Sequence, residues 1–217
     1  MLEPVPIGWP LSEYKMFVLG ITGPIGSGKS TVSGILRERG VLVLDADELS
    51  REVTASDGAA IDEIEQVFGS KAILGDRSLN RRYMSNVVFK DKKLLDMLSA
   101  IIHKHVLGYM HKRIEEERKL KTKCVVLDVP IPVNNGFIDH CDQIWVVTCD
   151  DSIRLMRLID RGMSKDDAQR RIEIQMSNDE YAALGDYEID NSGSLDDLNK
   201  KVEELIKSQL HERGIRI

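Results

Sequence analysis

A strand, a glycine-rich loop and a helix follow one another near the start of the chain, and this order constrains the fold most. Residues 17–21 are an apolar, β-branched run, and residues 23–30 (GPIGSGKS) match the phosphate-binding pattern GxxxxGK[ST]. In such a loop successive backbone N–H groups turn toward phosphate oxygens, Lys29 reaches the β- and γ-phosphates, and the Ser30 hydroxyl coordinates Mg²⁺. A helix predicted to begin at Thr31 points its positive end at the same anion. A nucleoside triphosphate site is therefore expected.

Residues 23–30 are called the phosphate loop below. A glycine-rich turn without a ligand is the alternative, and the order of strand, loop and helix argues against it. The residues predicted to bind ATP are Gly26, Ser27, Gly28, Lys29, Ser30 and Thr31.

Composition narrows the class of protein. The 217 residues, 42% of them hydrophobic, suffice for one core and an inserted subdomain. A net charge of −6 argues against a general nucleic-acid binder, which needs a basic surface. The three cysteines lack CxxC spacing, and no apolar run approaches the roughly 18 to 20 residues that span a bilayer. We expect a cytoplasmic protein without nucleic-acid or membrane partners, and its oligomeric state stays open.

Apolar, β-branched runs alternate with long amphipathic segments, which predicts an α/β fold with a five-stranded parallel sheet covered on both faces. The predicted strands are residues 17–21, 41–44, 124–127, 143–148 and 187–189. Residues 1–15 hold half of the prolines and form an extended tail, either disordered or upstream of a true start at Met16. The domain then spans residues 16–217, with a helical insert over residues 59–118 that lacks a convincing strand.

Capping residues mark three helices. The helix after the phosphate loop should end near Arg39, with Gly40 as its stop. Asp91 should cap a long helix, and Ser164 with Asp167 resembles the start of another. The long helix is predicted to place one apolar stripe against the core, formed by Leu94, Leu98, Ile101, Ile102 and Tyr109.

Carboxylates follow two of the predicted strands. Asp45 and Asp47 come after the second strand, at the sheet edge where ligands of open α/β sheets collect. A carboxylate there can orient or deprotonate an acceptor hydroxyl, whereas an N-cap role fits one of the pair. We favour Asp47 as the functional residue. Asp128 ends the run CVVLD, typical of an aspartate that serves Mg²⁺ directly or through water, although strands also end in Asp by chance.

Basic residues cluster in two places. Arg154, Arg157 and Arg161 are three and four residues apart and share a helix face, before Gly162. That face is either solvated or part of a lid over ATP at residues 152–176, and the hinge-like Gly162 favours the lid. In the insert, Arg81 and His103 are candidates to bind phosphates of the acceptor, although a solvated surface explains each equally well. His103 and His105 point in different directions, which disfavours a shared metal.

From Met16 onward the chain resembles the dephospho-coenzyme A kinases, a phosphate-loop kinase family. The resemblance rests on GITGPIGSGKSTV (residues 20–32), Asp45-Ala46-Asp47 with Arg51 and Val53, Leu79-Asn80-Arg81-Arg82 with Val88-Phe89, His103, Val106, Asp128, Pro130, Arg157, Arg161, Arg171-Ile172, Gln175, Asp186, Ile189, Asp190 and Asn191. It implies a five-stranded nucleotide-binding core, a helical acceptor-binding domain and a lid. It also implies transfer of the ATP γ-phosphate to the ribose 3′-hydroxyl of dephospho-coenzyme A.

Three positions depart from the family pattern. Lys104 stands where the family usually has Pro, and Asn134 stands where it usually has Glu. Gly185 replaces a frequent Ala, which is expected to be mild. The change at Asn134 leaves the acceptor-side contacts open.

On this basis Lys29 and Arg161 spread charge in the transition state, Ser30 and Asp128 serve Mg²⁺, and Asp47 takes or orients the acceptor hydroxyl. The rival functions are another small-molecule or nucleoside monophosphate kinase, a nucleotide-dependent switch protein, and a homologue that binds ATP without catalysis. Residues 199–202 (NKKV) lack the aspartate of a guanine-specifying NKxD tetrapeptide, which disfavours the switch.

Overall fold

The computed structural model describes residues 15–89, 91–130 and 137–217. Within them, five parallel strands form one sheet, as predicted. The strands are β1 (Phe17–Thr22), β2 (Leu42–Asp45), β3 (Cys124–Asp128), β4 (Gln143–Thr148) and β5 (Tyr187–Asp190). Their order in the sheet is β2-β3-β1-β4-β5.

Helices cover both faces of this sheet. They are α1 (Lys29–Glu38), α2 (Ala46–Glu52), α3 (Ile61–Phe68), α4 (Arg81–Val88), α5 (Lys92–Lys119), α6 (Asp151–Asp160), α7 (Lys165–Glu173), α8 (Asn178–Ala182) and α9 (Leu195–Leu205). In the part of the chain that the structure describes, no helix is both long enough and apolar enough to cross a membrane.

The strand register brings three strand ends together. Ile21 of β1 and Asp45 of β2 are both Cα partners of Asp128 at the end of β3. Successive side chains of a strand point to opposite faces, so the sheet separates two apolar clusters, one on each face. Val18 and Leu127 belong to the cluster beneath α2 and α5, whereas Leu19 and Val126 belong to the one beneath α1 and α9. The phosphate loop therefore leaves the centre of a sheet that is buried on both faces.

The predicted insert shares its core with the sheet. Ile64 of α3, Met84 of α4 and Ile101 of α5 are buried in the same cluster as Val18. The described residues of the range 59–118 contain an isolated bridge between Ile73 and Leu79 and no strand. Residues 59–118 are thus mainly helical where the structure describes them, and they pack directly on one face of the sheet.

The apolar stripe predicted for α5 is wrong at Tyr109, which is 40% exposed. Leu98 and Ile101 are buried in the first half of the helix, but Val106, Met110 and Ile114 are buried in the second. At 3.6 residues per turn these two sets lie on different faces. Tyr109 continues the first face, so it points to solvent where the second face packs.

The helix caps largely agree with prediction. Asp91 caps α5 by accepting hydrogen bonds from the Lys93 and Leu94 N–H groups, and Ser164 caps α7 by accepting one from Asp167. The helix after the phosphate loop begins at Lys29, two residues earlier than predicted, because Gly28 in the left-handed region serves as its N-cap.

Most of the predicted tail, residues 1–14, lies outside the described residues. Its last residue, Lys15, forms an ion pair with Asp142 across 2.6 Å, and Met16 is buried in the core beside the sheet.

Candidate active site

The phosphate loop is shaped by positions where a side chain would not fit. Gly28 has φ = 98°, and a Cβ there would lie 2.0 Å from Nδ2 of Asn191. Gly23 has φ = 154°, and a Cβ there would lie 2.2 Å from the carbonyl oxygen of Val147. Both backbone conformations favour glycine. The loop is therefore held tightly between the end of β4 and the segment after β5.

Carbonyl groups of the loop accept hydrogen bonds from outside it. Arg157 Nη1 donates to the carbonyl oxygens of Gly26 (3.3 Å) and Ser27 (3.2 Å), and Asn191 Nδ2 donates to that of Ser27 (2.7 Å). Arg157 Nη2 also donates to the Asn191 carbonyl (3.0 Å). The buried Ser27 Oγ has no hydrogen-bond partner among the described residues. Loop carbonyl groups that are held by such hydrogen bonds are consistent with a loop whose N–H groups face an anion.

Lys29, Asp128 and Ser33 form a compact charged group below the loop. Lys29 Nζ pairs with Asp128 Oδ1, and Ser33 Oγ donates to Asp128 Oδ2 across 2.5 Å. Asp128 is fully buried. Burial raises the pKa of its carboxyl above the usual value, and the Lys29 ammonium and Ser33 hydroxyl oppose that shift. The phosphate-loop lysine and the aspartate at the end of β3 thus meet at the centre of the sheet edge.

The structure separates the two carboxylates after β2. Asp45 caps α2, because its Oδ1 accepts from the N–H groups of Asp47 (2.8 Å) and Glu48 (3.2 Å). Asp47 lies in the first turn of α2 with its side chain exposed. The N-cap alternative therefore applies to Asp45, and the Asp47 carboxylate is accessible at the edge where β2 and β3 end.

Exposure differs widely among the two arginines of α6, Arg154 and Arg157, and its C-cap residue, Arg161. Arg154 is only 1% exposed, Arg157 is half-buried behind the phosphate loop, and Arg161 is exposed at the end of the helix. The spacing predicts a shared face correctly, but it does not show that the face turns toward the loop. Of the three, Arg161, followed by Gly162 with φ = 90°, keeps the surroundings expected of a lid arginine.

The candidate magnesium ligands are of two kinds. Ser30 is exposed in the first turn of α1, whereas Asp128 is engaged with Lys29 and Ser33. Over residues 15–89, 91–130 and 137–217, no three His, Cys, Asp or Glu side chains gather as a metal cage would require. Mg²⁺ is usually held by one or two carboxylates together with phosphates and waters. A serine hydroxyl and one carboxylate beside a phosphate site fit that ion.

Comparison with known proteins gives the family. The family model described as dephospho-CoA kinase matches residues 17–197. The chain belongs to the dephospho-CoA kinase family. A dephospho-CoA kinase of Symbiobacterium thermophilum is 39% identical over 189 residues, covering 87% of this chain and 79% of that protein. One of Fusobacterium nucleatum is 34% identical over 195 residues, covering 89% and 99%.

Solved structures have the same fold. A Thermus thermophilus protein, TT1252, matches with a TM-score of 0.72 at 30% identity, over 89% of this chain and 98% of that one. Dephospho-CoA kinase from Campylobacter jejuni has the same fold, with a TM-score of 0.66 at 19% identity over 88% and 96%. As a family member, the chain is an ATP-dependent kinase of coenzyme A biosynthesis, and a nucleotide-dependent switch is not favoured.

The candidate acceptor residues of this chain lie on two packed helices. Arg81 begins α4, and its Nη2 donates to Oγ1 of Thr54 across 2.8 Å. His103 is exposed on α5, which contacts α4. His105 instead meets Glu63 of α3 across 2.8 Å, beside Lys104 at 3.0 Å. Asn134 lies outside the described residues.

Sequence reasoning missed two structural contributors. Ser33 lies four residues after Lys29, so one helical turn places both side chains on the same face toward Asp128. That spacing was a usable signal. Gln175 is part of the family resemblance, yet no pattern indicates that it contacts the phosphate loop, where its Oε1 accepts from the Ile25 N–H across 2.9 Å.

Proposed function

We propose that this chain transfers the γ-phosphate of ATP to the ribose 3′-hydroxyl of dephospho-coenzyme A, giving ADP and coenzyme A. The observation that carries the proposal is the Lys29–Asp128 pair, at the edge where β2 brings the accessible Asp47. A triphosphate group, a metal-binding carboxylate and an acceptor base are all required at one place in phosphoryl transfer. We further propose that the enzyme works in the cytoplasm on small molecules, without nucleic-acid or membrane partners.

On the nucleotide side, the backbone and side chains of residues 26–31 bind the triphosphate. Lys29 leaves Asp128 to contact the β- and γ-phosphates, and Arg161 spreads charge over the transferring group. Ser30 and Asp128 would hold Mg²⁺. When bound, that ion neutralises charge on the phosphate oxygens.

On the acceptor side, Asp47 orients the ribose hydroxyl and accepts its proton. The transition state is loose, so position matters more than base strength. Arg81 and His103 of the insert contact phosphate groups of dephospho-coenzyme A, because both present exposed cationic or polar side chains on the packed helices α4 and α5.

The test is a transfer assay with purified protein, ATP, Mg²⁺ and either dephospho-coenzyme A or a panel of nucleoside monophosphates. Asp47→Asn should suppress coenzyme A formation by about 10² or more while calorimetry shows unchanged ATP affinity, because Asn keeps the shape but cannot accept the proton. Glu48→Gln, which neutralises the next exposed carboxylate on α2, is the matched control and should stay active.

Each outcome discriminates between functions. Unchanged transfer by Asp47→Asn removes that residue from catalysis. Phosphorylation of a nucleoside monophosphate in place of dephospho-coenzyme A supports the rival kinase, and ATP binding without any transfer by the wild type supports the silent homologue.

A further inference from the structure

The peptide groups of Ile25, at the tip of the phosphate loop, are held on both sides by side chains from the lid region. The Ile25 carbonyl oxygen accepts from Arg154 Nε across 2.9 Å. The Ile25 N–H donates to Gln175 Oε1 across 2.9 Å, and Arg154 Nη2 donates to the same oxygen across 3.2 Å. Ile25, Arg154 and Gln175 therefore form a closed hydrogen-bonded ring.

Arg154 is committed to this ring. The side chain is 1% exposed, and its remaining terminal nitrogen, Nη1, donates to Asp151 Oδ1 across 2.7 Å. Burying a guanidinium is costly unless it is paired and hydrogen-bonded, and here each of its three nitrogens donates to one acceptor. An arginine with all three nitrogens engaged acts on the loop rather than on a phosphate.

The side chain of Ile25 strengthens the same connection. It packs against a small apolar cluster of Leu158 from α6 with Ala168 and Ile172 from α7. The tip of the phosphate loop is thus part of the core of the α6–α7 hairpin, through both its backbone and its side chain. Movement of that hairpin must change the loop backbone.

We propose that Arg154 and Gln175 are positioning residues for ATP, which set the backbone of the phosphate loop at Ile25 from the lid region. The inference rests on the ATP site of the proposed function and is independent of the identity of the acceptor. On this proposal, the lid region already shapes the anion site before the lid closes. Neither residue is expected to touch the transferring phosphate.

Variants of Gln175 provide the sharpest test, because its oxygen serves only as an acceptor in the ring. Gln175→Met removes the acceptor, whereas Gln175→Glu keeps it. ATP affinity, measured by calorimetry without any acceptor substrate, should fall about tenfold in Gln175→Met, as expected for one or two lost hydrogen bonds. The loss should be clearly smaller in Gln175→Glu. The KM for dephospho-coenzyme A should stay unchanged in both.

Gln169→Met is the matched control, since Gln169 lies exposed on α7 and donates a hydrogen bond to Glu173 of the same helix. The proposal is overturned if Gln175→Met binds ATP as tightly as Gln169→Met, or if Gln175→Glu loses as much affinity as Gln175→Met. A lower melting temperature with unchanged ATP affinity would show a merely structural ring, and it also overturns the proposal.

Arg154→Met provides a second test of the ring. If the variant folds, its loss of ATP affinity should not add to that of Gln175→Met in the double variant, because both act through Ile25; additive losses contradict the ring. If it does not fold, the Gln175 comparison decides. A wild type that binds ATP but forms no coenzyme A refutes the proposed reaction and leaves this inference intact.

Discussion

At the scale of single residues, Lys29 has one partner in the free protein, Asp128, and is expected to have another, the phosphate groups, during transfer. Without nucleotide, Lys29 compensates a carboxylate that is fully buried, and its own side chain is only 12% exposed. In phosphoryl transfer the same ammonium is needed on the phosphates. Lys29 is therefore a structural residue of the free protein in addition to the catalytic role proposed for it.

Lys29→Ala should lower transfer by about 10² or more and also destabilise the free protein, by about 3 kcal/mol, because it leaves the Asp128 charge buried and unpaired. The double variant Lys29→Ala/Asp128→Asn should recover most of that stability, yet remain inactive. Urea unfolding together with the transfer assay measures both effects. Equal stability of Lys29→Ala and wild type would mean that the ion pair contributes nothing to folding.

Gly185 is a second residue whose surroundings decide its identity. A Cβ there would lie 2.4 Å from Cγ2 of Val146, a fully buried side chain, and 3.1 Å from the Ile144 carbonyl oxygen. The sequence alone suggests that exchange with Ala is mild, and this crowding argues otherwise.

Gly185→Ala should therefore destabilise the protein by about 1–3 kcal/mol through overpacking. Gly108→Ala is the control, because Gly108 lies in α5 and a Cβ there would meet no atom of the described residues within 4 Å beyond its own helical turns. Alanine is the better helix former, so that variant should gain about 0.5–1 kcal/mol. Thermal unfolding of the two variants beside the wild type checks both signs, and a stabilised Gly185→Ala would show that Val146 moves aside freely.

At the scale of elements, apolar runs locate the strands well, because a buried parallel strand is apolar on both faces. β4 has the predicted bounds, β1, β3 and β5 are each one residue longer at the C-terminal end, and β2 is shifted by one residue along the chain. Caps are also readable, since Asp91 and Ser164 use their own side chains. These features depend on local chemistry.

Features that depend on packing between distant elements could not be predicted. The second half of α5 turns a different face to the core, and α6 turns Arg154 and Arg157 toward the phosphate loop. Spacing along a helix defines its faces but not their partners. In the site, the pattern located Lys29 and Asp128, whereas the ring through Gln175 joins residues 150 positions apart.

At the end of α6, Arg161 allows the predicted lid to be tested. Arg161→Ala should lower kcat by about tenfold or more and change the KM for dephospho-coenzyme A little, because the guanidinium acts on the transferring group. Lys165→Ala, which removes an exposed cation from the start of α7, is the control. If Arg161→Ala and Lys165→Ala have the same steady-state kinetics, the lid role belongs to another arginine.

At the scale of the whole molecule, the sheet and the insert act as one body, because they share an apolar cluster from Val18 to Ile114. Lys15, the first residue that the structure describes, contacts that body through its ion pair with Asp142, in which the lysine side chain is 72% exposed. Asp142 also accepts from the Val18 N–H across 2.9 Å, through its other oxygen.

Deleting residues 1–15 should therefore leave transfer unchanged and lower stability by no more than about 0.5 kcal/mol, the usual contribution of an exposed ion pair. Asp142→Ala, which also removes the contact with the Val18 N–H, should cost more. Melting temperatures of the two variants make the comparison. A large drop on deletion would show that the N-terminal segment is an integral part of the fold.

The strand order also has a consequence for how the chain is made. β1 pairs with β3 through Phe17 and Cys124 and with β4 through Leu19 and Gln143, so both of its neighbours are synthesised long after it. At roughly 5–20 residues per second, the ribosome needs on the order of ten seconds to reach them. Throughout that interval both edges of β1 lack their native partner strands, so the centre of the sheet forms only after most of the chain has been made.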